Sequence, residues 1–218
     1  MIKKIIAGLL FGGVAIACVV LFAIGPRFNA LQLETLPILL IVCGASVLYC
    51  FVVGEIAHNN SQMDKLWSIL PIAYVWIIAG KSGMNVRTVI FAIIVTVWGV
   101  RLTIWGIRLT INFARKGAYS IKFWTGEEDY RWRVVRENKI FKGHKVRWAM
   151  FDLFFISFYQ NALVLLITFP LLMCVVNETA FGVFDIVASV GVALFIIYEI
   201  IADEQQWKFQ ETKKKLLK

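Results

Sequence analysis

The apolar positions of this chain fall in long runs. They form neither the narrow stripe of an amphipathic helix nor the alternation of a half-buried strand. Six runs stand out, at residues 5–24, 36–56, 66–79, 86–107, 148–176 and 181–202. A helix of about 20 such residues crosses the ~30 Å hydrocarbon core of a bilayer. The pattern therefore predicts an all-α protein, a polytopic transmembrane helix bundle of about six spans. Residues 1–218 read as a single integral membrane domain, with no internal repeat and no low-complexity linker.

The breaks between runs carry the expected punctuation. Gly25-Pro26 ends the first run, which is too long for the apolar region of a signal peptide. Pro37 is expected near the start of the second helix, where its missing N–H costs little. The third run, with 14 residues, is short for a span. It requires local thinning, or snorkelling by Asp64, Lys65 and Lys81. The fifth, with 29 residues, must tilt or break near Pro170. The sixth continues without a breaker through Asp203 and Gln210 to a lysine-rich end.

Composition supports the same class. The chain is 60% hydrophobic and 17% charged, far from the balance of a soluble domain. Its net charge of +9 is not spread evenly. Eleven of 23 Lys and Arg lie in 108–147, a basic loop between the fourth and fifth spans. With six crossings, 19 basic residues share one side and three lie opposite. The positive-inside rule then places the loop and both termini in the cytoplasm. Such a charge beside a membrane points to anionic lipid and not to nucleic acid. Cys18, Cys43, Cys50 and Cys174 all fall inside apolar runs, which predicts buried free thiols.

Two polar stripes interrupt the apolar pattern. Arg101, Trp105, Arg108 and Asn112 share one helix face that begins inside the membrane and emerges from it. Glu199, Asp203, Gln206 and Gln210 repeat that spacing on the last helix. An ionisable residue in a span needs a partner or a polar cavity. The stripes predict that the fourth and sixth spans pack together, either as a plain salt bridge or around a cofactor cleft. The fifth run carries Asp152, Tyr159, Gln160 and Asn161, for which hydrogen bonds across helices are the expected role. Glu55 and His58 have an ExxH spacing, but His144 is the one other histidine and has no matching glutamate, so no metal site is expected. With Asn59, Asn60, Ser61 and Asp64 they could line a cytoplasmic mouth.

Four stretches, in order, carry a resemblance: Asp64-Lys65-Leu66-Trp67-Ser68-Ile69-Leu70-Pro71; Arg101-Leu102-Thr103 with Trp105-Gly106-Ile107-Arg108-Leu109; Glu128-Asp129-Tyr130-Arg131-Trp132; and Ala202-Asp203-Glu204-Gln205-Gln206. From about residue 60 onward the chain resembles a bacterial membrane family, a domain of unknown function. That family is related to the C-terminal domain of steroid 5-alpha reductases and, more distantly, to isoprenylcysteine carboxyl methyltransferases. The resemblance implies location in the bacterial inner membrane, an apolar lipid-like substrate and NADPH-dependent reduction of a double bond beside a carbonyl. The two polar stripes supply the candidate cofactor site, at Asp203, Glu199, Arg101, Arg108, Asn112 and Gln206. Asp203 matches an acidic cofactor contact of the reductases, while their nearby arginine is Gln210 here. Catalytic residues are not placed. Relatives carry a further Arg-His-Pro-Asn-Tyr-type motif, so a C-terminally truncated chain with an incomplete site is expected. The alternatives are an S-adenosylmethionine-dependent lipid or prenyl methyltransferase and a non-catalytic membrane protein.

Overall fold

The structure is a computed structural model that describes residues 13, 16, 25, 27–115, 128–175 and 180–216, with the side chains of 103–115 and 214 outside the description. The chain divides into two compact units, Met1–Ala30 and Leu31–Lys218. The first predicted span, 5–24, lies almost wholly outside the described residues, as does Cys18. Everything below concerns the second unit.

The described elements are helical. They are α1 (Ala30–Ala57), α2 (Gln62–Leu66), α3 (Leu70–Lys81), α4 (Val86–Arg115), α5 (Tyr130–Arg136), α6 (Lys145–Phe151), a π-helical segment (Asp152–Tyr159), α7 (Gln160–Met173) and α8 (Val183–Leu216). Three helical stretches are long and apolar enough to cross a membrane: Ala30–Ala57, Lys145–Met173 and Val183–Lys213. Their surfaces support the same reading. Ile41, Ile56, Phe184, Phe195 and Tyr198 all stand exposed, an arrangement that lipid tolerates and water does not. The protein is an integral membrane protein with an all-helical fold.

The short helix α3 sits at the centre. It packs against α4 on one side and α7 on another, and α4 in turn packs against α8. Tyr74, Val75, Ile78 and Ala79 of α3 are fully buried. Gly99 of α4 lets the two helices approach: a Cβ there would lie 2.5 Å from the Ser68 carbonyl oxygen and 2.8 Å from Ile72 Cδ1. α1 runs antiparallel to the π segment and α7. Gln32 Nε2 donates to the Leu172 carbonyl at 3.2 Å, Asn161 Nδ2 reaches Cys50 Sγ at 3.8 Å, and Gly54 lies against Asp152. Cys43 and Cys50 are buried free thiols and Cys174 is half-buried.

Several boundaries differ from those read in the sequence. Pro37 is not near a helix start, because α1 begins at Ala30 and Pro37 lies inside it. The apolar stretch 66–79 is not one helix. Leu66 ends α2, and α3 starts at Leu70 with Pro71 in its first positions, where a proline fits. At 1.5 Å per residue α3 is about 18 Å long, shorter than a bilayer core. Lys65 does not snorkel: it is buried, with Nζ donating to Gln62 Oε1 at 3.2 Å. Burial pushes its ammonium below the ordinary lysine range, and the Asp64 charge opposes that shift. The basic loop read as 108–147 is partly helical, since α4 continues to Arg115 and α5 lies within it. The fifth run does not break at Pro170, which lies inside α7. Its irregularity falls instead at the π segment, where Ser157 Oγ donates to Asp152 Oδ1 at 3.2 Å, five residues away.

Candidate functional site

Two polar centres lie at the edges of this bundle. The first joins α4 to α8. Arg101 is nine-tenths buried, and its guanidinium meets two carboxylates one turn apart on α8. Nη1 lies 2.6 Å from Glu199 Oε2, and Nη2 pairs with Asp203 Oδ2. Trp98, one turn before Arg101, donates its indole N–H to the same Glu199 Oε2 at 3.1 Å. A buried guanidinium needs this closure, because an isolated charge away from water is costly. The acids are less enclosed: their side chains keep 42% and 47% of their surface. Arg101 Nε is buried and has no partner.

The helix period explains the geometry. Residues 199 and 203 are one turn apart, so both face α4 once either does. The same helix pair is fastened at its other end by Arg87 and Asp185, where Arg87 Nη2 donates to Asp185 Oδ2 at 2.7 Å. Asp185 Oδ2 also accepts from the Gly182 backbone N–H at 2.9 Å.

Between these two fastenings lies an apolar cavity of about 430 Å³. Its wall comes from α3, α4, α7 and α8 and includes Pro71, Phe91, Trp98, Phe195 and Ile196. Glu199 is the one charged residue among its lining. The Arg101 cluster thus borders an otherwise greasy chamber.

The second centre lies where α1 ends. Asn60 and Ser61 hold the start of the segment 128–136. The Asn60 N–H donates to Glu128 Oε1 at 3.0 Å, and the Asp129 N–H donates to Ser61 Oγ at 2.9 Å. Arg136 Nη2 donates to both Asn60 Oδ1, at 2.5 Å, and Glu128 Oε1, at 2.6 Å. Its guanidinium stacks 4.6 Å above the Trp148 ring. Asp129 caps α5 by accepting from the Arg131 backbone N–H at 2.8 Å. Burial pushes the Asp129 carboxyl up, but the Arg131 hydrogen bonds and charge outweigh it and hold the group below its ordinary range. Beside this knot is a cavity of about 440 Å³ that both histidines line.

The sequence-predicted residues divide accordingly. Arg101, Glu199 and Asp203 come together as the two stripes required. Gln206 stands exposed on α8. The side chains of Arg108 and Asn112 lie outside the described residues. Gln160 and Asn161 bond across helices: Gln160 Oε1 accepts from the Trp67 indole at 3.0 Å, and Asn161 reaches Cys50. Glu55, His58 and Asn60 do share a mouth, whereas Asp64 lines a different recess with Trp67 and Arg131. Sequence reasoning missed Gly54, Arg136 and Trp148 as neighbours of that mouth. The clue was the dense mixture of arginine and tryptophan in 131–148, which gave no hint of what it would fold against. Among the described residues no group of three or more His, Cys, Asp or Glu could hold a metal ion.

A dinucleotide has two demands, acceptors for ribose hydroxyls and cations for phosphates. The half-exposed Glu199 and Asp203 fit the first. Arg101 does not fit the second, because two carboxylates already close its guanidinium. The described residues of this cluster therefore suit the ribose side of NADPH and not its phosphates.

An uncharacterised protein of Schizosaccharomyces pombe is 33% identical over 180 residues, covering 77% of this chain and 48% of that protein. The chain thus spans about half the length of the curated relative it matches. No solved structure matches it. The family described as "Protein of unknown function (DUF1295)" matches residues 50–104 and 102–217, so α2 to α8 all fall within it. This membrane protein belongs to that family.

Proposed function

We propose that the chain acts on an apolar, lipid-like molecule held between α3, α4, α7 and α8, with its polar end at the Arg101 cluster. One observation carries this reading: the cavity is lined by apolar and aromatic side chains, and its single charged lining residue, Glu199, belongs to that cluster. Concave apolar chambers with a few convergent polar groups are the usual form of small-molecule sites. A lipid could enter from the bilayer and place its headgroup or carbonyl near Arg101.

The reaction class we propose is NADPH-dependent reduction of a lipid enone, in the inner membrane of a bacterium. NADPH would supply the hydride. Glu199 and Asp203 would accept hydroxyl hydrogen bonds, and the apolar wall would exclude water from the reacting carbon. A second reading is methyl transfer from S-adenosylmethionine. It is favoured by the same acids, which suit a cofactor bearing positive charge and no phosphate.

The purified full chain in detergent separates the two. NADPH and S-adenosylmethionine are titrated into wild type and Asp203→Ala, with thermal unfolding as the control for fold. The reductase reading expects selective NADPH binding that weakens about tenfold or more in the variant, the scale of a lost charge-assisted hydrogen bond. Selective S-adenosylmethionine binding supports the methyltransferase. Silence to both leaves a non-catalytic lipid-binding protein. A bound lipid that is retained equally by Phe195→Trp, which narrows the chamber, would remove the lipid site itself.

A further inference from the structure

We infer that the cavity beside the end of α1 is a second site, one that binds a phosphate ester. It is separate from the chamber on Glu199 and does not rest on the reading of that chamber. Its wall joins Gly54, Glu55 and His58 of the α1 end to Asn60, Arg136, and the turn that leads through Lys142 and Gly143 into α6. Gly143 has a left-handed backbone, φ +79°, which folds that turn back over the opening.

Three features select the ligand. Lys142 and Lys145 bring exposed ammonium groups to the wall and enter no ion pair among the described residues. His58 and His144, the two histidines of the chain, both line it and add ring nitrogens. Deeper in, a donor is left over. Arg136 Nε is buried and unpaired, while Asn60 Nδ2 faces the Asp152 carboxylate. A buried donor is normally satisfied, so Arg136 Nε marks a place where an acceptor belongs. The Arg136 guanidinium itself is held flat by Trp148, Asn60 and Glu128, which pre-organises it.

Glu55 and Glu137 share the wall, so the site is not a bare positive sink for any small anion. It suits an ester whose phosphate reaches the lysine side. Position favours a lipid headgroup as the source. Gly54 lies on the candidate span Ala30–Ala57, and Trp148 lies on the candidate span Lys145–Met173. The cavity therefore opens where two spans leave the apolar layer, the depth at which tryptophan gathers and phospholipid phosphates lie.

The test uses the purified full chain in detergent. Native mass spectrometry follows retention of phosphatidylglycerol against phosphatidylcholine, and calorimetry follows glycerol 3-phosphate and inorganic phosphate. The variants are Lys142→Ala/Lys145→Ala at the cavity and Lys213→Ala/Lys215→Ala on exposed α8. Both pairs are solvent-exposed, so folding is not at stake. The expected result is preferential retention of phosphatidylglycerol, weakened roughly tenfold or more by the cavity pair and unchanged by the α8 pair. Glycerol 3-phosphate binding with the same variant response, without lipid preference, would assign a soluble phosphate ester to the site. Binding of neither, or equal loss in both variant pairs, overturns the inference. NADPH or S-adenosylmethionine titration of the Glu199 chamber is a different readout and leaves this one standing or falling alone.

Discussion

Asp64 is a residue on which burial and charge pull in opposite directions. It lies in α2, outside the spans, and accepts from the Trp132 indole at 3.3 Å. Burial pushes its carboxyl above the ordinary range; the Trp132 hydrogen bond and the Arg131 charge pull it back without cancelling the shift, and the Asp129 charge adds to it. The unfolded chain titrates near the ordinary value of about 3.9. Between that value and the raised one, the native state holds a proton that the unfolded state has lost. Stability from this group is therefore full below the unfolded value and falls as pH rises through the window. Asp64→Asn should abolish that slope. Thermal unfolding from pH 4 to pH 7 should show the variant gaining on wild type as pH rises, and parallel curves would refute it. The residue scale was only partly legible. Arg101 and Glu199 were readable because an ion inside an apolar run demands an answer. Arg136 was not, since one arginine among many in a polar stretch looks like its neighbours until Asn60 and Trp148 close around it.

At the scale of elements, the close approach of α3 and α4 depends on a residue with no side chain. Gly99→Ala would put a methyl group against the Ser68 carbonyl, a backbone atom that cannot swing aside. Overpacking of this kind costs about 1–3 kcal/mol. We expect a lower unfolding midpoint, and a chamber whose α3–α4 wall is displaced should bind lipid less tightly. An unchanged midpoint would mean that the helices separate freely. Helix existence followed from the apolar runs; helix ends did not. Pro71 and the turn before it shortened the third helix. The π segment could not be read, because Asp152, Ser157 and Asn161 are spaced for neither a clean α period nor a break. Its polar side meets α1, with Asp152 against Gly54 and Asn161 against Cys50.

For the whole molecule, contacts at the two ends of the bundle sort its turns. The start of α1 meets the end of α7 through Gln32, and the starts of α4 and α8 meet through Arg87 and Asp185. The end of α1, α2 and the segment 128–148 gather at the opposite end. That opposite end holds the described part of the basic loop, so the positive-inside rule predicts that it faces the cytoplasm. Single cysteines at Gly83 and Lys139, introduced on a background with the native thiols replaced, test the assignment. A membrane-impermeant maleimide should label Gly83→Cys in intact cells and Lys139→Cys only after permeabilisation. The reverse pattern would invert the topology. The same contacts explain how a helix as short as α3 can connect the two ends: it is walled by α4 and α7 and meets little lipid along its length.

Length and hydropathy of the runs determined by themselves that this is a helical membrane protein. The period of the helix put Glu199 and Asp203 on one face, ready for a cation. Those are local properties, set by rise per residue and by the cost of charge in an apolar layer. Only tertiary packing decided that Arg101 would be sealed by both acids, leaving its phosphate-binding capacity spent and its Nε buried without a partner. Packing also brought the end of α1 against a turn more than 80 residues later to make a second cavity. Such meetings depend on which helix faces touch, and no spacing along one strand of sequence encodes a partner that lies on another.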